Sequence, residues 1–213
     1  MAFLTLTLGV YAYTHRVAPP DGAAAAGSSG TVPPGVVHGG PVVDASSGQI
    51  ETAAPQQGTV ALTFDDGPHP EWTPRVLEVL REHDVRATFF VLGTAVSDQP
   101  DLVRQIVDEG HEIGIHTLTH ADLATLPAWQ QSMELSVSQR VLMGAAGIST
   151  SLFRPPYSST NAALSDGDWE SIGAAAGAGY LSVLSTADSR DWTRPGVDQI
   201  VADSLAAVDS TDR

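Results

Sequence analysis

The chain has no cysteine among its 213 residues. That excludes disulfide staples and thiolate metal sites, and it suits an extracytoplasmic location without requiring one. Cations are scarce too: ten Lys and Arg against 25 Asp and Glu leave a formal charge of −15. A nucleic-acid partner is not expected, because a phosphate backbone is held by clustered Lys and Arg. The acidity also disfavours an anionic substrate and suits a neutral one, although acidity often serves solubility alone. Long apolar runs are missing as well. A membrane-spanning helix needs about 20 apolar residues, and the run Ala2–Tyr13 is shorter, with no basic residue before it. It is a poor signal peptide as written. We read residues 1–16 as the remnant of a membrane helix that would tether the protein; a short buried or disordered piece is the alternative.

What is present is 42 % apolar residues, enough for the core of one domain plus a tail. Residues 17–57 are rich in Pro, Gly, Ala and Ser, as in Ala23-Ala24-Ala25-Ala26 and Pro33-Pro34-Gly35. Such a tract buries too little surface to offset its ordering entropy, so a largely disordered linker is expected, with a short strand at Pro41-Val42-Val43-Asp44. The folded domain is expected over 58–213. There, apolar strands at 59–64, 87–92, 111–116, 151–154 and 180–184 alternate with helices at 73–83, 101–109, 129–143, 168–178 and 197–208. Thr73 and Pro74 read as the cap and first residue of one helix, and Gly110, Gly144 and Gly179 as helix stops. Strands alternating with helices imply an α/β fold with a parallel sheet covered on both faces. Every group with chemical potential follows a strand, and in a β/α barrel such loops share one face.

Four of those loops stand out. Thr63-Phe64-Asp65-Asp66-Gly67-Pro68 ends a strand in two carboxylates at a tight turn. One can bind a metal while the other faces the reacting atom; an Asx turn or helix cap would use the same residues. His116-Thr117-Leu118-Thr119-His120 offers imidazoles at i and i+4, the spacing that lets both reach one ion, with Thr117 as hydrogen-bonding support. A His pair also serves as a surface or capping feature. Two imidazoles and one carboxylate suit Zn²⁺, Co²⁺ or Fe²⁺ better than Mg²⁺ or Ca²⁺. Arg154-Pro155-Pro156-Tyr157 is stiff, so the Tyr157 N–H could face an oxyanion and Arg154 could pair with Asp65; a surface Arg before a turn is the alternative. Asp188-Ser189-Arg190-Asp191-Trp192 sets acids beside an indole suited to a sugar face, or to the core. His15, His38, His69 and His83 read as surface residues and His111 as part of a strand.

In this order the four motifs resemble the polysaccharide deacetylases with a NodB homology domain, carbohydrate esterase family 4, over roughly Thr59 to Val208. The likeness is closest to the deacetylase half of actinobacterial proteins that also carry a glycosyltransferase domain. It implies a distorted (β/α)₇ barrel that removes N- or O-acetyl groups from glycans such as peptidoglycan or chitin-like polymers. It further implies Asp65 as catalytic base, and Asp66, His116 and His120 as ligands of a divalent metal, Zn²⁺ or Co²⁺. Arg154 would orient Asp65, and Pro156 and Tyr157 would contact the substrate, Tyr157 through its N–H. Trp192 would line the acetyl pocket, and one of Asp188 and Asp191 would tune a general acid. A secreted or membrane-anchored monomer acting on an acetylated polysaccharide is the expectation. The family's late Leu and His motif has no counterpart, because no His follows His120. The expectation is therefore a chain cut short, lacking its last strand and acid. The alternative is a carbohydrate-binding pseudoenzyme. A metal-dependent phosphoesterase would want more carboxylates and cations.

Overall fold

The computed structural model of the protein describes residues 31–211 apart from residue 159. The apolar run Ala2–Tyr13 lies outside the described residues. Among those described, no helix is long and apolar enough to cross a membrane.

The first described elements fall in the segment expected as linker. A short helix α1 (Pro34–Val37) precedes a hairpin of β1 (Val42–Asp44) and β2 (Glu51–Ala53), paired antiparallel with Val43 opposite Thr52. The expectation of a largely disordered 17–57 therefore needs correction from Pro34 to Ala53, while the short strand falls where the sequence suggested. Composition misled because a few apolar residues sit where they count. Val36 and Val43 are fully buried against Trp169, Ile172 and Leu184. The Asn161 side chain donates to the carbonyls of Val36 and Gly40 at 2.7 and 3.2 Å, so the tract's own backbone is paired.

After this hairpin, strands and helices alternate. They are β3 (Leu62–Asp65), α2 (Trp72–Glu82), β4 (Ala87–Val91), α3 (Gly93–Asp98), α4 (Pro100–Asp108), β5 (Glu112–Ile115), α5 (Ala128–Ala146), β6 (Leu152–Phe153), α6 (Asp166–Gly177), β7 (Leu181–Val183) and α7 (Val197–Thr211). The sheet order is β2-β1-β7-β6-β5-β4-β3, with β3 to β7 parallel and β1 antiparallel to β7. This is the mixed α/β architecture expected, with parallel strands joined through helices.

Side-chain alternation divides the sheet. Phe64, Phe89, Val91, Ile115 and Phe153 join the larger core with Leu77, Ile106 and Leu142, and Phe64 stacks on Phe89 at 5.2 Å. Residues one step out of phase, Phe90, Leu152 and Leu181, form a second cluster on the other face. Asp65 lies opposite Phe90 in the register, so the same alternation turns Thr63 and Asp65 towards that second face. Gly114 shares it: a Cβ there would lie 2.4 Å from the Phe90 ring.

Helix ends differ in detail from expectation. Helix α2 starts at Trp72, and Thr73 is not its cap; the Thr73 hydroxyl accepts from the His69 N–H at 2.8 Å. Helix α5 runs through Gly144 and stops at Gly147, whose φ of 69° ends it in the left-handed region. The cost of an interior glycine, about 1 kcal/mol, is met by the packing of Ala145 and Ala146 against the core. Ser165 caps α6 in a reciprocal capping box with Asp168, which moves that helix start to Asp166.

Candidate active site

The candidate residues arrive on the ends of the parallel strands. Asp65 is the last residue of β3, and Asp66 follows with φ 70°, ahead of a cis Gly67–Pro68 bond. The left-handed turn sends the two carboxylates in different directions. His116 follows β5, and Thr117 and His120 take φ 69° and 61°. Tyr157, after β6, takes φ 65°. Four of the seven non-glycine residues with positive φ among those described thus belong to this site. Backbone held in sparsely populated conformations costs energy and persists where surrounding contacts over-determine it.

Asp66, His116 and His120 bring one ligand atom each within 4.8 Å of one another. Asp66 Oδ1 lies 3.5 Å from His116 Nε2 and 3.3 Å from His120 Nε2. His116 is buried, and its Nδ1 is 2.7 Å from the Arg154 carbonyl oxygen. A carbonyl only accepts, so Nδ1 carries the proton and Nε2 keeps its lone pair on the Asp66 side. Burial pushes the His116 pKa down to about 4, against the opposing pull of the Arg154 carbonyl and Asp66. A neutral imidazole with a backbone-fixed tautomer, a second imidazole and a carboxylate make a donor set that fits a borderline divalent cation.

Arg154 organises the other half. Its guanidinium is buried and donates to Asp65 Oδ1 and Thr63 Oγ1, each at 2.8 Å, and to the Val183 carbonyl at 2.9 Å. Its Cζ lies over the Phe90 ring, 4.2 Å from the centroid. Burial raises the Asp65 pKa above the ordinary carboxylate value; Arg154 opposes the rise and the charge of Asp191 adds to it. Asp65 is therefore a more basic carboxylate than a free one, fixed by a cation. Asp188 acts on Arg154 by its charge. Both acids of the β7–α7 loop therefore bear electrostatically on the Arg154–Asp65 pair.

Other predicted residues stand further out. Pro155 and Pro156 are buried and stiffen the turn that carries Tyr157. The Tyr157 ring is exposed and meets His120 edge-on at 4.7 Å between centroids. Trp192, on a 3₁₀ turn at Asp191–Thr193, is 75 % exposed, so its indole stands in solvent and not in the core. The support expected from Thr117 is not made by its hydroxyl, which is buried without a partner among the described residues. His38, His69 and His83 are exposed. His111 is buried, and its Nδ1 accepts from the Ala87 N–H. His15 lies outside the described residues.

Two contributors escaped the sequence reading. Thr63 shares the Arg154 guanidinium with Asp65, and strand alternation, which sets 63 and 65 on one face, was the signal for it. Glu134 of α5 accepts hydrogen bonds from the Leu118 and Thr119 amides, and no sequence pattern links 134 to 118.

A family model described as polysaccharide deacetylase matches residues 52–171. The chain is 44 % identical over 153 residues to a chitooligosaccharide deacetylase of a Bradyrhizobium species, covering 70 % of this chain and 66 % of that protein. It is 39 % identical over 145 residues to a peptidoglycan-N-acetylglucosamine deacetylase of Bacillus cereus, covering 67 % of this chain and 64 % of that protein. The chain thus spans slightly less than two thirds of the length of either relative. Among solved structures, it is similar to a family 4 carbohydrate esterase from Streptomyces lividans in complex with acetate. The TM-score there is 0.60 at 35 % identity, over 71 % of this chain and 84 % of that one.

Proposed function

The chain belongs to the polysaccharide deacetylase family, and from that premise we propose that it is a metal-dependent hydrolase removing acetyl groups from an acetylated glycan. The single observation that carries the reading is the meeting of Asp66, His116 and His120 within 4.8 Å, beside an Asp65 held at 2.8 Å by Arg154. The two curated relatives act, by name, on chitooligosaccharide and on peptidoglycan N-acetylglucosamine. An N-acetylglucosamine-containing glycan is therefore the proposed substrate class. Such a neutral group also suits a chain of net charge −15.

In this reading Asp66, His116 and His120 hold a divalent cation, Zn²⁺ or Co²⁺. When bound, that ion would supply Lewis acidity to the attacking water and to the acetyl carbonyl. Asp65 takes the proton of the attacking water, and its raised pKa makes it the better acceptor. Arg154 keeps that carboxylate charged and oriented. The Tyr157 N–H, fixed by the turn after Pro155 and Pro156, donates to the acetyl oxygen as charge gathers there. Trp192 offers the methyl group an apolar wall. Asp188 and Asp191 set the charge around Asp65 and Arg154. The amide C–N bond breaks, the water oxygen leaves in acetate, and the proton taken up by Asp65 passes to the sugar nitrogen, which leaves as an amine.

The same reading puts the protein outside the cytoplasm, secreted or tethered through residues 1–16, and acting as a monomer, because cell-wall glycans are met there. Fractionation of cells expressing the full chain tests that placement.

The test of the activity is acetate release from chitin oligosaccharides and from peptidoglycan after chelation and re-addition of Zn²⁺ or Co²⁺. Metal-restored release supports the reading. Glycan binding by folded, metal-loaded protein without any acetate release overturns it in favour of a carbohydrate-binding module.

A further inference from the structure

We infer that Glu134 is a positioning residue for the metal ligands, and that it fixes the loop between His116 and His120. The inference rests on the reading of Asp66, His116 and His120 as a metal site. Glu134 lies in the second turn of α5, outside the four motifs, and is half-buried. Its Oε2 accepts the Leu118 N–H at 2.8 Å and the Thr119 N–H at 2.9 Å, and its Oε1 accepts the Thr119 hydroxyl at 2.8 Å. One carboxylate thereby takes three donors from two consecutive residues.

The loop's opposite side is held just as fully. The Thr117 and Leu118 carbonyls accept from the Gly93 and Thr94 N–H groups at 3.0 Å each, at the start of α3. These are amides that a helix leaves unpaired at its first turn. The approach is close: a Cβ on Gly93 would lie 2.7 Å from Leu118 Cδ1 and 3.2 Å from Ser138 Cα, so the Leu118 side chain would have to move to admit one. Between the two ligands, then, the amides of 118 and 119 go to α5 and the carbonyls of 117 and 118 go to α3.

That clamp matters because the loop is not relaxed. Thr117 and His120 both hold positive φ without being glycine, and Thr117 makes no side-chain hydrogen bond among the described residues. The His120 ring meets the rings of His116 and Tyr157, contacts that hold the ring and not the backbone between the two histidines. The carboxylate of Glu134 supplies the restraint from outside, as groups behind metal ligands commonly do. It touches neither ion nor substrate in this role.

The experiment is Zn²⁺ affinity by chelator competition, with amide hydrogen exchange at Leu118 and Thr119 in the metal-free protein. Glu134→Ala is expected to weaken Zn²⁺ by about 10–100-fold, the usual cost of losing such support, and to speed exchange at both amides. Glu134→Gln, which keeps one acceptor for the two amides, is expected to restore most of the affinity. If Glu134→Ala does not fold, Glu134→Asp keeps the charge and withdraws the oxygens, and the same loss of affinity is expected. Unchanged affinity per folded molecule in the alanine or aspartate variant, even with a lowered melting temperature, overturns the role of Glu134. Wild-type protein that takes up no Zn²⁺ overturns the metal reading itself, and this role with it.

Discussion

Arg154 donates to Asp65 at 2.8 Å across 89 residues of sequence, and the same guanidinium holds Thr63 and the Val183 carbonyl. One buried cation thus ties β3 to the chain around β6 and β7 and orients the carboxylate beside the cluster of Asp66, His116 and His120. Lysine cannot copy this, because a single ammonium lacks the planar fork that reaches three acceptors. Arg154→Lys should lower kcat/KM and destabilise the fold together. Breaking a fully buried pair costs about 3–5 kcal/mol. The Asp65 side chain is 32 % exposed, so we expect less, about 2–3 kcal/mol, after allowing for solvent screening. Urea unfolding and steady-state kinetics on one preparation check it; wild-type stability in the lysine variant would show that the three contacts are not held together.

Asp65 and Asp66 are adjacent in sequence but face different partners, and the proposed function gives them different tasks. Asp66 faces His116 and His120, whereas Asp65 faces Arg154. Asp66→Ala should abolish tight Zn²⁺ binding. Asp65→Asn should keep one Zn²⁺ per chain and lose turnover by about 10²–10⁴-fold, the range for removing a general base. Metal content after gel filtration, read beside acetate release, separates the two. Equal metal loss in both variants would remove the division of roles.

Local signals in the sequence picked out residues that the fold brings together, and described the frame around them less well. Asp65, Asp66, His116, His120 and Arg154 could be picked out because each follows an apolar strand, and the alternation of elements implied that strand ends converge. Glu134 could not be, because its link to Leu118 exists only once α5 packs beside the β5 loop. Gly144 misled for a related reason: a glycine stops a helix only where the chain is free to turn, and packing at Ala145 and Ala146 carries the helix past it. The hairpin at 42–53 was masked by its surroundings, since buried Val43 and pairing to β7 outweigh a Gly- and Pro-rich average.

The hairpin yields a direct test. Val43 is 1 % exposed and packs in a cluster with Trp169, Ile172 and Leu184. Val43→Ala removes two methyl groups, at about 0.8 kcal/mol each plus a cavity term. The unfolding free energy should therefore fall by about 2 kcal/mol. The same substitution at exposed Val60 should change it by less than about 0.5 kcal/mol. A Val43→Ala protein as stable as wild type would show that the segment before Gly58 is an appendage to the domain and not part of it.

Alkaline pH probes the larger core, a different cluster from that of Val43. Tyr180 is 6 % exposed, packs beside Phe153 at 6.3 Å between centroids, and burial pushes its pKa up to about 12 from 10.0. The folded state then binds a proton that the unfolded chain releases between those two values. Its contribution to stability is fully present below pH 10 and is lost as pH rises through 12. A shift of that size corresponds to roughly 2–3 kcal/mol across the window. The chain has no lysine, so no ammonium group titrates there to blur the effect. Tyr180→Phe keeps the ring and removes the ionisable group. Urea unfolding at pH 9, 10 and 11 should show wild-type stability falling with a steeper slope than the phenylalanine variant. Parallel slopes would mean that the Tyr180 hydroxyl meets solvent in the folded protein, and that the core beneath β6 and β7 is looser than its packing indicates.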